Sequence, residues 1–533
     1  MLAQVHSAAL IGCHAEPVTV EVDASRGLPQ WRLVGLAAVA VRESHERVSA
    51  ALANAGFTVP PRRITVSLSP GDLRKDGTAF DLPIALATLV AVGLLDRSAL
   101  RGVLAVGELG LDGGVRPVRG VLAVARRAAT MRERPRLLVP AGNGAEAALV
   151  AGVRVHTATD LASLVAALTG TTREPLPVVP ELMPAPPAMV ECLSDVVGQP
   201  LATRALEIAA AGGHSVAMIG PPGAGKTMLA RRLAGILPPL DDAAALEVLT
   251  IQSIAGLLRS PPTRPLRPFR APHHTASPAA LVGGGSPPRP GEVTLAHHGV
   301  LFLDEFSLFT RSALDALREP LEDGSVQIAR AGGVVRFPSR TQVVIASNPC
   351  ACGYAGQPGA TCCCRAADLQ RHAGRLTGPL IDRVDLHLRL TRVPLGTLAS
   401  GARGEPSVVI AARVAAARAA QRARNAAGLR AAPINAALTP RALEHPAIIP
   451  PEARQVAARA AEQLLLSARG FHRVLRVART IADLSGRAAV TIDDVGEALR
   501  YRPALESVAV GRSPGAAVRS SCPTDSVESR DDG

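Results

Sequence analysis

The sequence predicts a multidomain α/β chain: an α/β N-terminal domain, an α/β core built on a parallel sheet, and a C-terminal helical lid. Three observations predict it. Strand-like and helical runs alternate over residues 1–168 and again over 190–393. In the second region a glycine-rich octet joins an apolar strand to a helical run. From residue 394 the chain turns helical and rich in alanine and arginine.

In the first region VTVEVDA, RITVSLS and LLVP read as strands, and Val39 to Ala55, Leu82 to Leu94 and Val121 to Thr130 as helices. Residues 169–189 form a linker; Pro175, Pro177, Pro180, Pro184, Pro186 and Pro187 make it extended and exposed. In the core, strands are expected near Ser215–Ile219, Val300–Leu303 and Thr341–Ala346. In the lid (394–505), Val408 to Ala427 is a helix stopped by Gly428. Residues 506–533, rich in serine and charge, read as a disordered tail.

Composition narrows the function. The 533 residues are 47% hydrophobic and 19% charged, which excludes a wholly disordered chain. The longest uncharged apolar run, Leu82 to Leu95, is too short to span a bilayer, and the N-terminus lacks a signal-peptide pattern. A cytoplasmic protein with no membrane partner is expected. The net charge is +13, and residues 401–505, with 16 arginines against 8 acids, are the most basic part. Aromatic residues are 2%, which suits tracking of a phosphate backbone better than base stacking. Only Lys75 and Lys226 are lysines; the other 56 basic residues are arginines. A planar guanidinium cannot replace a compact ammonium everywhere, so both lysines draw notice.

Lys226 falls in HSVAMIGPPGAGKTMLARRLA (214–234), where Gly220-Pro221-Pro222-Gly223-Ala224-Gly225-Lys226-Thr227 has the P-loop spacing between strand and helix. The glycines let backbone N–H groups close around phosphate oxygens at a helix N-terminus. Lys226 then reaches the β/γ-phosphates of ATP and Thr227 ligates Mg²⁺. The apolar strand Gly299-Val-Leu-Phe-Leu ends in Asp304 and Glu305. Asp304 fits the acid that holds Mg²⁺ and Glu305 the base that polarises water; the alternative is an acid pair on a solvated strand edge. A third strand ends in Asn348, either a water-orienting amide beside the γ-phosphate or a turn residue before Pro349.

These motifs carry a family resemblance. PFRAPHHTASPAALVGGG (268–285), PGEVTLAHHGVLFLDEF (290–306), LREPLEDGSVQIARA (317–331), ASNPCACG (346–353) and LTGPLIDRVDLH (376–387) closely resemble the magnesium-chelatase-like AAA+ ATPases of the ComM/YifB type. The resemblance spans about residues 1–505 and implies a homo-hexameric ring with ATP at subunit interfaces. It makes Arg383 the arginine finger for a neighbour's γ-phosphate; the alternative is an intrachain pair with Asp382 or Asp385. RGFHRVLRVARTIADL (469–484) resembles the sensor-2 helix of the family, with Arg476, then Arg473, as nucleotide-sensing candidates, or else a solvated basic face. The run SLSPGDLRKDGTAFDLPIALA (67–87) resembles a Lon-protease-like domain. Where active Lon domains carry a serine and a lysine, this chain has Ala79 and Leu122, so no proteolysis is expected. Lys75, in the same run, is expected to make a structural contact.

Five of the eight cysteines fall within 350–364. Cys350, Cys352, Cys362 and Cys364, the family's CxC…CxC pattern, could hold a structural zinc ion, with Cys363 spare; free reduced thiols are the alternative. The pairs His273-His274 and His297-His298 are read as structural rather than metal-binding. The loop Thr275 to Pro290, with Gly283-Gly-Gly285, is expected to face the ring pore and touch substrate.

Three functions compete. The resemblance implies an ATP-driven DNA motor for branch migration in recombination and natural transformation, acting on branched DNA or single-stranded/duplex junctions. A protein remodeller is the second. A magnesium chelatase motor subunit is the third; against it stand the N-terminal domain, which such subunits lack, and the absence of a DxSxS signature.

Overall fold

The structure is a computed structural model that describes residues 1–36, 38–170, 191–258, 265–330, 333–357, 359, 361–376, 380–401, 403–427 and 432–502. Most of the expected linker, the expected tail and Gly428 lie outside the described residues.

The N-terminal region is built on one seven-stranded mixed sheet. Its strands are β1 (Leu2–Ile11), β2 (His14–Ser25), β3 (Gln30–Val34), β4 (Arg63–Ser69), β5 (Val103–Ala105), β6 (Arg136–Pro140) and β7 (Val155–Ala158), in the order β3-β4-β2-β1-β5-β6-β7. β1, β2 and β4 pair antiparallel, and β5, β6 and β7 run parallel. RITVSLS alternates buried and exposed side chains along β4, as a half-buried strand must. The long apolar run forms the helix Asp81–Val92, buried along nearly its whole length. The helix expected over Val39 to Ala55 is two, Val39–Arg42 and Ser44–Asn54. Ala79 and Leu122 meet one apolar cluster under the sheet. Lys75 is fully buried, its ammonium donating to the Pro70 carbonyl, so its use is structural as expected.

The core holds a five-stranded sheet, parallel throughout. The strands β8 (Val216–Ile219), β9 (Phe269–Arg270), β10 (Val300–Leu303), β11 (Gln342–Ser347) and β12 (Leu386–Arg389) lie in the order β9-β10-β11-β8-β12. β10 and β11 are buried along their full lengths, the mark of strands covered on both faces. The expected loop over 275–290 is instead a short helix, Pro278–Val282, and a two-stranded hairpin over 283–290. A second hairpin pairs Ser325–Arg330 with Gly333–Pro338. The N-terminal region docks on the core through the helices Val121–Thr130 and Asp242–Ala255. Arg126 donates to Thr250 (3.2 Å) and Ser253 to the buried Glu146 (3.2 Å). Burial pushes the Glu146 carboxyl up to about 7.

The lid consists of helices, chief among them Ser407–Ala426, Pro451–Gln463, Ala468–Leu484 and Ile492–Leu499. Its Ala-rich faces pack with the helix Pro200–Gly212 in one apolar cluster shared with β8 and β12. A buried polar network runs through this interface. The Asp483 carboxylate accepts from Arg424 (2.7 Å), Arg479 (2.7 Å) and Asn435 (2.8 Å), and Arg479 is fully buried. His214 joins Asp385 (3.1 Å) to Thr480 (2.8 Å) and so ties core to lid.

His297 and His298 both face Glu247, at 3.0 and 2.8 Å. These three groups lie close enough to share an ion, but His297 Nδ1 accepts the backbone N–H of Arg340 (3.0 Å). A neutral imidazole then carries its proton on Nε2 and donates it to Glu247, which leaves no lone pair there for a metal. The contact ties the helix Asp242–Ala255 to the turn before β10. Among the described residues no helix is long and apolar enough to cross a membrane.

Two outcomes follow. Asp483→Ala strands a buried guanidinium, which costs about 3–5 kcal/mol; the urea midpoint of lid unfolding should fall, and a wild-type midpoint would contradict the network. Burial holds His297 near 4, and the two imidazoles hold Glu247 below its usual range against the effect of burial. Both folded values lie below the unfolded ones, so the unfolded chain binds more protons in acid. This contact's stability is full above about pH 6.5 and lost as pH falls towards 4. His297→Gln keeps a donor without titrating, so the acid-side drop in melting temperature should flatten; identical pH profiles would contradict this.

Candidate nucleotide site

The site forms where β8, β10 and β11 end on one sheet edge. The parallel register pairs Ile219 with Ser347 and Leu303 with Ile345. Residues just past each strand, Gly220, Asp304 and Asn348, are thereby neighbours. Gly223 and Gly225 take left-handed φ of +78° and +82°, so the octet can curl before the helix Lys226–Ile236 begins.

Lys226 donates to the carbonyls of Gly220 (2.7 Å) and Pro221 (3.0 Å) and to Asn348 Oδ1 (2.9 Å). Burial lowers its pKa, opposed by the charges of Asp304 and Glu305. Thr227 donates to Asp304 Oδ2 (2.8 Å), and the Glu305 backbone N–H to Asp304 Oδ1 (2.9 Å). The structure thus brings together Lys226, Thr227, Asp304 and Asn348. Glu305, beside them, sits at a left-handed φ of +50°, and its carboxylate meets His274 Nδ1 at 3.1 Å. His274, which the sequence reading treated as structural, therefore belongs to this group; its adjacency to a strand-end acid has no signature in linear spacing.

A cavity of about 530 Å³ opens beside the octet. Val197, Met228, Val393, Leu395 and Leu398 supply its apolar walls and Gln199 and Arg392 its polar ones. It is suited to a planar heterocycle next to the phosphate cradle. None of these residues was singled out from the sequence, because they come from three separate segments.

The arginine candidates do not converge on the octet. Arg383 pairs within the chain with Glu322, rather than with Asp382 or Asp385, and its Nη1 is buried without a partner. Arg473 pairs with Asp385 (3.4 Å) and Arg476 donates to the Leu438 carbonyl (2.8 Å). Asp385 is held below the usual carboxylate range: burial would raise it, but His214, Arg502 and Arg473 outweigh burial.

The four thiols do converge. Cys350, Cys352, Cys362 and Cys364 place their sulfurs within 4.8 Å of one another, while Cys363 is exposed.

Comparison with known proteins gives the family. The family described as "Magnesium chelatase, subunit ChlI" matches residues 192–398, "Subunit ChlI of Mg-chelatase" matches 20–143, and "Magnesium chelatase, subunit ChlI C-terminal" matches 404–502. An uncharacterized protein of Mycobacterium tuberculosis is 45% identical over 94% of this chain and 98% of its own length. The competence protein ComM of Haemophilus influenzae is 42% identical over 94% and 97%. YifB of Escherichia coli is 40% identical over the same shares. The chain belongs to the ComM/YifB family of magnesium-chelatase-like AAA+ ATPases.

Proposed function

We propose that the protein hydrolyses ATP with Mg²⁺ as a ring of six copies and uses the energy to move on DNA, driving branch migration in recombination of incoming single strands. The observation that carries the ATPase reading is Lys226, whose ammonium is already held among three oxygens at the mouth of the octet. On this reading Lys226 exchanges those oxygens for phosphate oxygens. Thr227 and Asp304 hold Mg²⁺, and Glu305, released from His274, polarises the attacking water that Asn348 orients. Arg383 serves the site of the next subunit, and Arg476 and Arg473 report nucleotide state to the lid. The thiol quartet holds a structural zinc ion.

The DNA reading is supported by the charge of the lid and by the name of the Haemophilus relative, a competence protein. Several lid arginines are spent on internal pairs with Asp483, Glu207 and Asp494. Arg403, Arg422, Arg441, Arg459, Arg469 and Arg500 are exposed and form the candidate phosphate-contacting set.

Glu305→Gln should keep ATP binding and lose turnover by about 10²-fold or more; full turnover would overturn the assignment. Arg383→Ala subunits mixed with Lys226→Ala subunits should recover ATPase activity that neither has alone, because an intact cradle then faces an intact finger. No recovery would contradict action between subunits. The purified protein should bind four-way-junction DNA with a steep salt dependence and move the branch when given ATP. Replacing Arg422, Arg459 and Arg469 with alanine should reduce the log–log salt slope by about 2–3. Salt-independent binding, or recovery of proteins rather than DNA in pull-downs, would favour a protein remodeller.

A further inference from the structure

The thiol quartet sits between two parts of the candidate nucleotide site. Three of its sulfur separations are 3.3 Å (Cys350–Cys352), 3.5 Å (Cys352–Cys362) and 3.7 Å (Cys350–Cys362). The edge of a tetrahedron with Zn–S bonds of about 2.3 Å is about 3.8 Å. Backbone N–H groups already point at the sulfurs: Cys352 N–H at Cys364 Sγ (3.4 Å) and Ala355 N–H at Cys350 Sγ (3.3 Å). Such donors stabilise thiolates around a metal. Among the described residues, 350–365 contain neither helix nor strand, so cross-links through the sulfurs would add to the few side-chain contacts that hold this segment, such as Arg392 on Tyr354 (3.1 Å).

Both flanks of the segment end on Asn348. On one side only Pro349 separates Cys350 from Asn348. On the other, the helix Ala366–Arg375 starts two residues after Cys364 and returns His372, whose Nε2 lies 2.8 Å from the Asn348 carbonyl. That carbonyl can only accept, so His372 donates. The segment also touches the octet directly. Gly353 is left-handed (φ +85°), and a Cβ there would come within 2.5 Å of Pro222 Cδ. Only a glycine lets the two loops pack this closely.

We propose that Cys350, Cys352, Cys362 and Cys364 bind one Zn²⁺ whose role is to brace the nucleotide site: it holds Asn348 through Cys350 and His372, and holds the octet through Gly353 against Pro222. Binding releases the four thiol protons and leaves a Zn(S⁻)₄ centre of net charge −2 with no open coordination position, so the metal positions rather than reacts. The bracing role rests on the ATPase reading above; the metal site does not.

The test uses the full chain. The wild type should carry about one zinc per chain by inductively coupled plasma mass spectrometry. Cys352→Ser with Cys364→Ser should carry none, and Cys363→Ser should keep it. Hydrogen exchange of peptides covering 346–353 and 220–225 should quicken in the double variant alone. His372→Ala should keep its zinc yet lower kcat about tenfold with KM for ATP little changed. A wild type purified with zinc present that holds none overturns the site. Unchanged exchange in the zinc-free variant, or full kcat in His372→Ala, overturns the brace. Bound zinc with the expected exchange in a chain that hydrolyses no ATP sinks the ATPase reading and leaves the metal site standing.

Discussion

The parallel register of β8, β10 and β11 is the constraint on which the candidate site depends. Three chain segments far apart in sequence end on one sheet edge because Ile219 is level with Ser347 and Leu303 with Ile345. A slip of one residue would turn each inward side chain to the other face of the sheet. It would also separate Lys226 from Asn348 and Thr227 from Asp304. The position of β8 between β11 and β12 adds a second restriction, because Gly220 is flanked on its other side by Leu390, whose backbone a Cβ at 220 would strike. Within that confined space Lys226 meets three oxygens with one tetrahedral ammonium. A planar fork has no equivalent geometry, which gives a physical reason for a lysine in a chain that otherwise uses arginine.

The same edge is linked outward to the lid. Asp385 lies just before β12 and two residues after Arg383, and it is held by His214 and Arg473. Arg383 therefore sits on a short segment whose next buried carboxylate is gripped by the lid helix Ala468–Leu484. Any movement of that helix relative to the sheet must either break the Asp385 pairs or carry the segment along. Breaking a buried charged pair costs several kcal/mol, so the second course is favoured. Of the two arginines implied as sensors, Arg473 is thus a structural link between the lid and the segment that carries Arg383, while Arg476 bonds within the lid.

The α/β class, the octet and the strand-end acids were legible because each is local: β4, the helix Val121–Thr130 and β10 occur where periodicity places them. The choice of these four thiols came from the resemblance to the family's CxC…CxC pattern; the tight C-x-C spacing is less specific than C-x₂₋₄-C and by itself left free thiols open. What spacing could not show is tertiary. β9 has only two residues, and the hairpin over 325–338 is defined by pairing across the chain rather than by its own pattern. The partner of Arg383 proved to be Glu322, 61 residues away. Arg473 and Arg476 face inward because the lid's small alanine side chains let the helices approach the core, a packing effect invisible in a charge count. The net charge of the lid therefore overstates its free surface charge.

The most direct test of the account is the affinity of Mg²⁺–ATP for Lys226→Arg, measured by isothermal titration calorimetry against the wild type. If one compact ammonium replaces its three oxygens with phosphate oxygens, the arginine variant should bind about 10–100-fold more weakly despite its equal charge. Wild-type affinity in that variant would contradict the claim that the confined register at this sheet edge selects lysine and builds the nucleotide site.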